Sequence, residues 1–258
     1  MISSTQNDRV KYVRSLDRRR VRRREGRFLV EGTRLIDEVV RAGVEPALVF
    51  YTEAWAATPE GQRLLPLLRP AEGAWAVDEA VMAACADTET PQGVLAVVPA
   101  LALEAGPGLI LVVDGVRDPG NLGTILRSAE AAGAGQVLLA PGTVDLYNPK
   151  VVRGGMGAHF RLPARALDWA VIGARLAGRR VWLADAAGEV AYDAVDWTVP
   201  SALIVGGEAA GAGAEAAALA GGRVLIPMVG GAESLNAAMA ATVILFEAAR
   251  QARSQVTK

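Results

Sequence analysis

Scarcity is the first information in this chain of 258 residues, which holds one cysteine, Cys85, and one histidine, His159. A lone cysteine cannot close an intramolecular disulfide, and one of each cannot assemble a zinc cluster, so no metal is expected. A serine hydrolase would have to rest on His159 alone, and no G-x-S-x-G elbow is present to support one. No apolar run approaches the ~20 residues that cross a bilayer, and the opening MISSTQNDRVKY lacks the apolar core of a signal peptide. Asp8, Asp17 and Glu25 interrupt the arginine-rich start, unlike a mitochondrial transit peptide. These absences lead us to expect a soluble, cytoplasmic protein.

What is present suits one or two globular domains, since a 52% hydrophobic composition can supply a sizeable core. The formal net charge of −1 hides an asymmetry. Up to Arg27, ten basic residues stand against three acidic ones, a net +7, so the remaining chain carries −8. Arg9, Lys11, Arg18, Arg22 and Arg23 belong to this basic segment, a candidate surface for a polyanion because each phosphate contact releases counterions. A solvated helix face or a frayed terminus is the competing reading.

Apolar periodicity then alternates between short strands and helices. RFLVEG, PALVFYT, GAWAV and GVLAVVP read as strands, with helices in TRLIDEVVRAG, PEGQRLLPLL and DEAVMAACA, the last capped by Asp78. The segment 100–108, ending Gly-Pro-Gly, reads as a linker between a domain at 1–99 and another at 109–258. The second domain begins with the apolar run LILVVDGV, suited to a strand buried on both faces. QVLLA, RVWLADA, ALIVGG and RVLIPM follow as strands, with helices after Asn121, near NPKVVRGGMGA, in LDWAVIGARLAG, in an alanine-rich stretch and from Ser234 onward. Such alternation predicts an α/β fold with a parallel sheet covered by helices on both faces.

Ligands in such sheets bind beyond the carboxyl ends of the strands, and three strand ends carry unusual residues. In the first, Asn121 can cap a helix, Gly123 leaves its first turn bare, and Arg127 lies four residues on, on the same face. A guanidinium looking across a glycine can clamp a phosphate, although a capped helix with a surface arginine accounts equally well for the spacing. In the second, Gly206 and Gly207 allow a ligand close to the backbone and Glu208 places a carboxylate beside it. Neither G-x-G-x-x-G nor a P-loop is present, which argues against a dinucleotide-dependent oxidoreductase. In the third, Ser234 can cap the last helix, leaving the Asn236 amide free for a ligand, while Met228 and Leu235 read more simply as core residues.

Taken together and in order, N-x-G-x-x-x-R (Asn121, Gly123, Arg127), Gly206-Gly207-Glu208, and Ile226-Pro227-Met228 followed by Ser234-Leu235-Asn236 resemble the signature of the SpoU (TrmH) family of SPOUT RNA ribose 2′-O-methyltransferases. The resemblance runs from Leu109 to about Arg250. RFLVEGTRLI further resembles the L30e-like α/β/α RNA-binding domain of members that modify ribosomal RNA. Ala209 in place of a usual glycine, and RGGMGA from Arg153 in place of an Arg-Ala-Ser element, depart from the pattern.

The resemblance implies a parallel-sheet SPOUT domain with a deep trefoil knot, which periodicity does not predict. It implies S-adenosylmethionine held by main-chain groups around Gly206, Gly207, Ile226, Met228 and Leu235, and a homodimer with its site near the subunit interface. It also implies ribosomal RNA as substrate, with Arg153 among the RNA contacts and transfer RNA as the alternative. Arg127 would act on the ribose hydroxyl. Because arginine stays protonated, we expect it to stabilise the forming alkoxide and hold the adjacent phosphate, which takes the proton. Asn121, Ser234 and Asn236 would orient ribose and cofactor, and Glu208 would complement the sulfonium or fix a loop. A noncatalytic RNA-binding protein would need the basic segment but not this set.

Overall fold

The structure is a computed structural model that describes residues 1–207 and 211–256. The chain divides into two compact units, Met1–Ala102 with Tyr147–Phe160, and Leu103–Leu146 with the chain from Arg161 onward.

The first unit contains α1 (Asp8–Ser15), α2 (Arg19–Glu25), β1 (Arg27–Glu31), α3 (Thr33–Arg41), β2 (Leu48–Tyr51), α4 (Glu53–Ala56), α5 (Pro59–Leu64), β3 (Ala74–Ala76), α6 (Glu79–Cys85) and β4 (Val94–Pro99). The strands form one sheet in the order β1-β4-β2-β3, antiparallel except for β2 and β3. A strand's side chains alternate between faces, so one sheet serves two cores. Phe28, Val30, Val49 and Val98 meet Leu35, Ile36 and Val39 of α3 on one face. Leu48, Phe50, Leu95 and Val97 meet Val10 and Val13 of α1 and Met82 of α6 on the other.

The basic segment is two helices rather than one continuous helix. Arg22 breaks it: its guanidinium is buried and donates to the carbonyls of Leu16 (2.8 Å) and Asp17 (2.6 Å), satisfying the open end of α1 and folding α2 back. The linear domain division differs from the sequence reading. The helix α8 (Pro149–Gly155) and its flanks, read as part of 109–258, pack with the first unit. The reason is apolar: Val152 and Phe160 enter the Phe28 core, and Tyr147 stacks on Phe28 with ring centroids 4.6 Å apart.

The second unit adds β5 (Ile110–Asp114), α7 (Pro119–Ala131), β6 (Gln136–Leu139), β7 (Ala164–Ala166), α9 (Trp169–Leu176), β8 (Arg180–Ala184), β9 (Val190–Ala191), β10 (Ser201–Gly206), α10 (Ala214–Leu219), β11 (Gly222–Leu225) and α11 (Ala237–Val256). Among the described residues its seven strands run in the order β7-β6-β5-β10-β8-β11-β9, each pair parallel. The central strands β5 and β10 are buried along both faces, as their unbroken apolar runs require. Ile110, Val112 and Ile204 face Ile172 and Leu176 of α9 and Ala216 of α10. On the other face α7 lies against α11, where Ser128 Oγ and Thr242 Oγ1 are 2.7 Å apart. The strand expected through Met228 ends at Leu225, because Pro227 supplies no N–H for the ladder.

Candidate active site

The C-terminal ends of β5 and β10 lie side by side, with Asp114 and Gly206 as register partners. Beyond them, Gly207 and Gly211 exchange two backbone hydrogen bonds of 3.1 Å and close a short loop. The buried Asp114 carboxylate accepts from the Gly213 N–H at 2.7 Å and pins the far side of that loop. The two glycines serve the chain itself more than a ligand. A Cβ on Gly206 would stand 2.3 Å from the Gly211 carbonyl carbon, and one on Gly207 would stand 2.5 Å from the Gly115 oxygen. Glu208 lies outside the described residues.

The ends of β10 and β8 form one wall of a cleft of about 460 Å3. Ile226, Met228, Ser234 and Leu235 form the other, on the connection from β11 to α11. Met228 and Leu235 are therefore not core residues: they are 37% and 38% exposed, and they give the cleft an apolar lining. From Met228 to Leu235 the main chain makes no hydrogen bond among the described residues, leaving its N–H and C=O groups open. A volume in the range of small-molecule sites, apolar side chains and free main-chain groups suit a ligand that joins a heterocycle to an amino acid. The residues therefore fit S-adenosylmethionine. The three charged residues among the described cleft lining, Asp185, Arg223 and Glu233, escaped the sequence reading, and Asp185 and Arg223 pair at 2.9 Å. Only their position after β8, on β11 and before Ser234-Leu235 could have signalled them.

The first motif sits on α7. Asp118, not Asn121, caps this helix, accepting from the Asn121 N–H at 2.8 Å, and the Asp118-Pro119 pair was the available signal. Asn121 lies inside the first turn, and its Oδ1 accepts from Asn236 Nδ2 at 3.1 Å. Asn236 in turn replaces Ser234 as the cap of α11: its Oδ1 accepts from the Ala238 N–H at 2.8 Å, and its carbonyl takes the first helical bond from Ala240. The helix starts three residues later than the sequence suggested, and the Asn236 amide is engaged at both ends rather than free. Ser234 is exposed in the cleft wall. Arg127 stands six residues beyond Asn121, about 9 Å along the axis, exposed and without a hydrogen bond or ion pair among the described residues.

In the first unit the basic residues separate by role. Arg22, singled out as an RNA contact, is a buried structural group instead. Arg9 lies over Trp75 with its Cζ 4.4 Å from the ring centroid, and Arg153 pairs with Asp87. Arg23 is exposed, while Lys11 and Arg18 join Arg14, which the site reading passed over, along a groove of about 760 Å3. Cys85 borders the same groove, and its burial pushes the thiol up to about 11 despite the nearby Arg14.

Comparison with known proteins agrees with this geometry. Residues 108–246 match the SpoU rRNA Methylase family, and residues 7–96 match the MRM3-like substrate binding domain. The chain is 34% identical to the mitochondrial rRNA methyltransferase 3 of Homo sapiens, over 91% of this chain and 70% of the relative. It is 32% identical to the 23S rRNA (guanosine(2553)-2′-O)-methyltransferase RlmP of Bacillus subtilis, over 95% and 97% of the two chains. The solved structure of the SpoU methyltransferase AviRb from Streptomyces viridochromogenes, in complex with AdoMet, matches with a TM-score of 0.85 at 33% identity, covering 96% of this chain and 99% of that one. A chain with these three motifs at the ends of one parallel sheet, and these relatives along nearly its whole length, belongs to the SpoU rRNA methylase family.

Proposed function

We propose that the protein transfers a methyl group from S-adenosylmethionine to a ribose 2′-hydroxyl of ribosomal RNA. The observation that carries this reading is the Asn121–Asn236 hydrogen bond, which ties the helix bearing Arg127 to the segment lining the cleft across 115 positions of sequence. When bound, S-adenosylmethionine supplies an electrophilic methyl group on a sulfonium. The residues of the chain act on the other reactant. A ribose hydroxyl becomes nucleophilic only as its proton leaves. Arg127, charged and unpaired among the described residues, holds the adjacent RNA phosphate and stabilises the negative charge growing on the 2′-oxygen, while a phosphate oxygen accepts the proton. Asn121, Ser234 and Asn236 orient the ribose relative to the cleft, and the Gly206–Gly207 strand end, Ile226, Met228 and Leu235 hold the cofactor. Glu208, outside the described residues, joins this assignment through its place in the Gly206-Gly207-Glu208 motif.

Substrate RNA docks on the first unit through Lys11, Arg14 and Arg18 in their groove, helped by Arg9, Arg23 and Arg153. The protein works as a homodimer in the cytoplasm. Met239, Val243 and Phe246 recur at helical spacing on α11, with Met239 49% and Phe246 42% exposed, an apolar stripe that a second copy would cover. Met239→Glu with Phe246→Glu should yield monomers by light scattering. A persisting dimer would place the interface elsewhere. No helix among the described residues is long and apolar enough to cross a membrane. The C-terminal part of the chain is threaded into a trefoil knot, as the resemblance to the SPOUT fold implies.

The decisive experiment transfers labelled methyl from S-adenosylmethionine to unmodified ribosomal RNA, with transfer RNA in parallel, followed by digestion to nucleosides. Label in a 2′-O-methylnucleoside from ribosomal RNA is expected, and label only in transfer RNA would overturn the substrate. Arg127→Ala should slow transfer by about 10²–10³-fold with cofactor affinity nearly unchanged. Equal loss of both would make Arg127 structural.

A further inference from the structure

The charge lining the cleft bears on a question separate from the chemistry of transfer, namely how the site tells cofactor from product. S-adenosylmethionine carries a sulfonium, an ammonium and a carboxylate, a net +1. Loss of the methyl group leaves a neutral thioether and a net charge of zero. A cleft with net negative charge therefore favours the one over the other, by electrostatics alone.

The described lining residues include three ionisable side chains, Asp185, Arg223 and Glu233. Arg223 lies 2.9 Å from Asp185, so these two largely cancel. Glu233 makes no hydrogen bond or ion pair among the described residues and immediately precedes Ser234 and Leu235 in the cleft wall. Among the described lining residues, its one negative charge is the excess. We infer that Glu233 is a specificity-determining residue that biases the cleft toward the cationic cofactor and against its neutral product, an inference that rests on the methyl-transfer reading above.

The bias is modest, because Glu233 is exposed and solvent screens it. It nonetheless acts on every turnover, since a product held as tightly as the cofactor would occupy the site after transfer. The Asp185–Arg223 pair makes the inference testable from both sides. Removing the Glu233 charge lowers the discrimination, and removing the Arg223 charge, which uncovers Asp185, raises it. Both pair members are partly exposed, at 29% and 53%, so Arg223→Gln should cost little stability.

The experiment measures calorimetric affinities of S-adenosylmethionine and S-adenosylhomocysteine for the full chain, for Glu233→Gln, Glu233→Asp and Arg223→Gln, at low and at high salt. The expected result is that Glu233→Gln lowers the ratio of the two affinities by about threefold, that Glu233→Asp restores it, and that Arg223→Gln shifts it the other way. High salt should shrink all three differences. A ratio unchanged in Glu233→Gln, or an equal loss of both ligands, overturns the inference while leaving methyl transfer intact. Failure of the unaltered chain to bind either ligand overturns the methyl-transfer reading itself, and this inference with it.

Discussion

Asn236 offers a way to separate a helix cap from a motif-to-motif link, because its two amide atoms do different work. Its Oδ1 accepts from the N–H groups of Ala238 at 2.8 Å and Met239 at 3.4 Å, and its Nδ2 donates to Asn121. Asn236→Ala removes both functions. Loss of an N-cap costs about 1 kcal/mol, which for a chain of this size lowers Tm by roughly 2–4 °C. Asn236→Asp keeps the capping oxygen, and its charge at the start of a 20-residue helix adds about 0.3–1 kcal/mol, so its Tm should match or slightly exceed that of the parent. It cannot donate to Asn121, however, so the 3.1 Å link is lost as it stands and the Asn121 amide must turn over to offer a donor in its place. Asn121→Asp is the mirror case, since an acceptor remains where one was. Single-turnover methyl transfer should therefore fall by about tenfold or more in Asn236→Asp while its melting stays normal. Melting of Asn236→Asp as low as that of Asn236→Ala would refute the capping role. Parent-like transfer by Asn236→Asp would refute the role of the link in holding the site.

Arg22→Gln should destabilise the first unit by about 1.5–3 kcal/mol, because a charged donor to two carbonyls is lost from a buried site. Arg14→Gln with Arg18→Gln should leave melting unchanged but weaken RNA binding and flatten its salt dependence; RNA affinity measured against salt for this double variant and for Arg22→Gln checks the distinction. A thiol pushed up to about 11 is roughly a hundredfold less ionised at pH 8 than one at 9, so Cys85 should resist alkylation in the native protein and react once it is unfolded. Rapid native labelling would contradict its burial. Gly207→Ala drives a Cβ to 2.5 Å from a backbone oxygen and should cost about 1–3 kcal/mol together with cofactor affinity, whereas Gly230→Ala, with nothing within 4 Å, should melt as the parent does.

The periodicity of the chain sufficed for much of the architecture. The unbroken apolar runs of β5 and β10 required a sheet covered on both faces, and the alternation in β1 placed Phe28 and Val30 inside. The three motifs were equally legible, since glycines, prolines and capping residues announce strand ends locally. What was misread involved groups whose partners lie far away in sequence. Arg22 looks like its neighbours in an arginine run, and nothing local says that its guanidinium turns inward to the end of α1. Met228 and Leu235 have the composition of core residues, yet they face a cleft whose other wall is built from distant strand ends. Tyr147–Phe160 follows a strand of the second unit and is claimed by the first, because Phe28 offers a ring to stack on.

The sequence by itself thus determined the class of fold and the order of the three motifs, and it singled out Arg127 as the candidate for a ribose and its phosphate. Only the tertiary structure decided which side chain caps which helix, how Asn121 meets Asn236, and which charges line the cleft. The physical reason is one of range. Propensity, caps and periodicity act over a few residues, whereas a hydrogen bond across 115 positions, or a carboxylate left uncompensated beside an ion pair, exists only once the chain has brought its distant parts together.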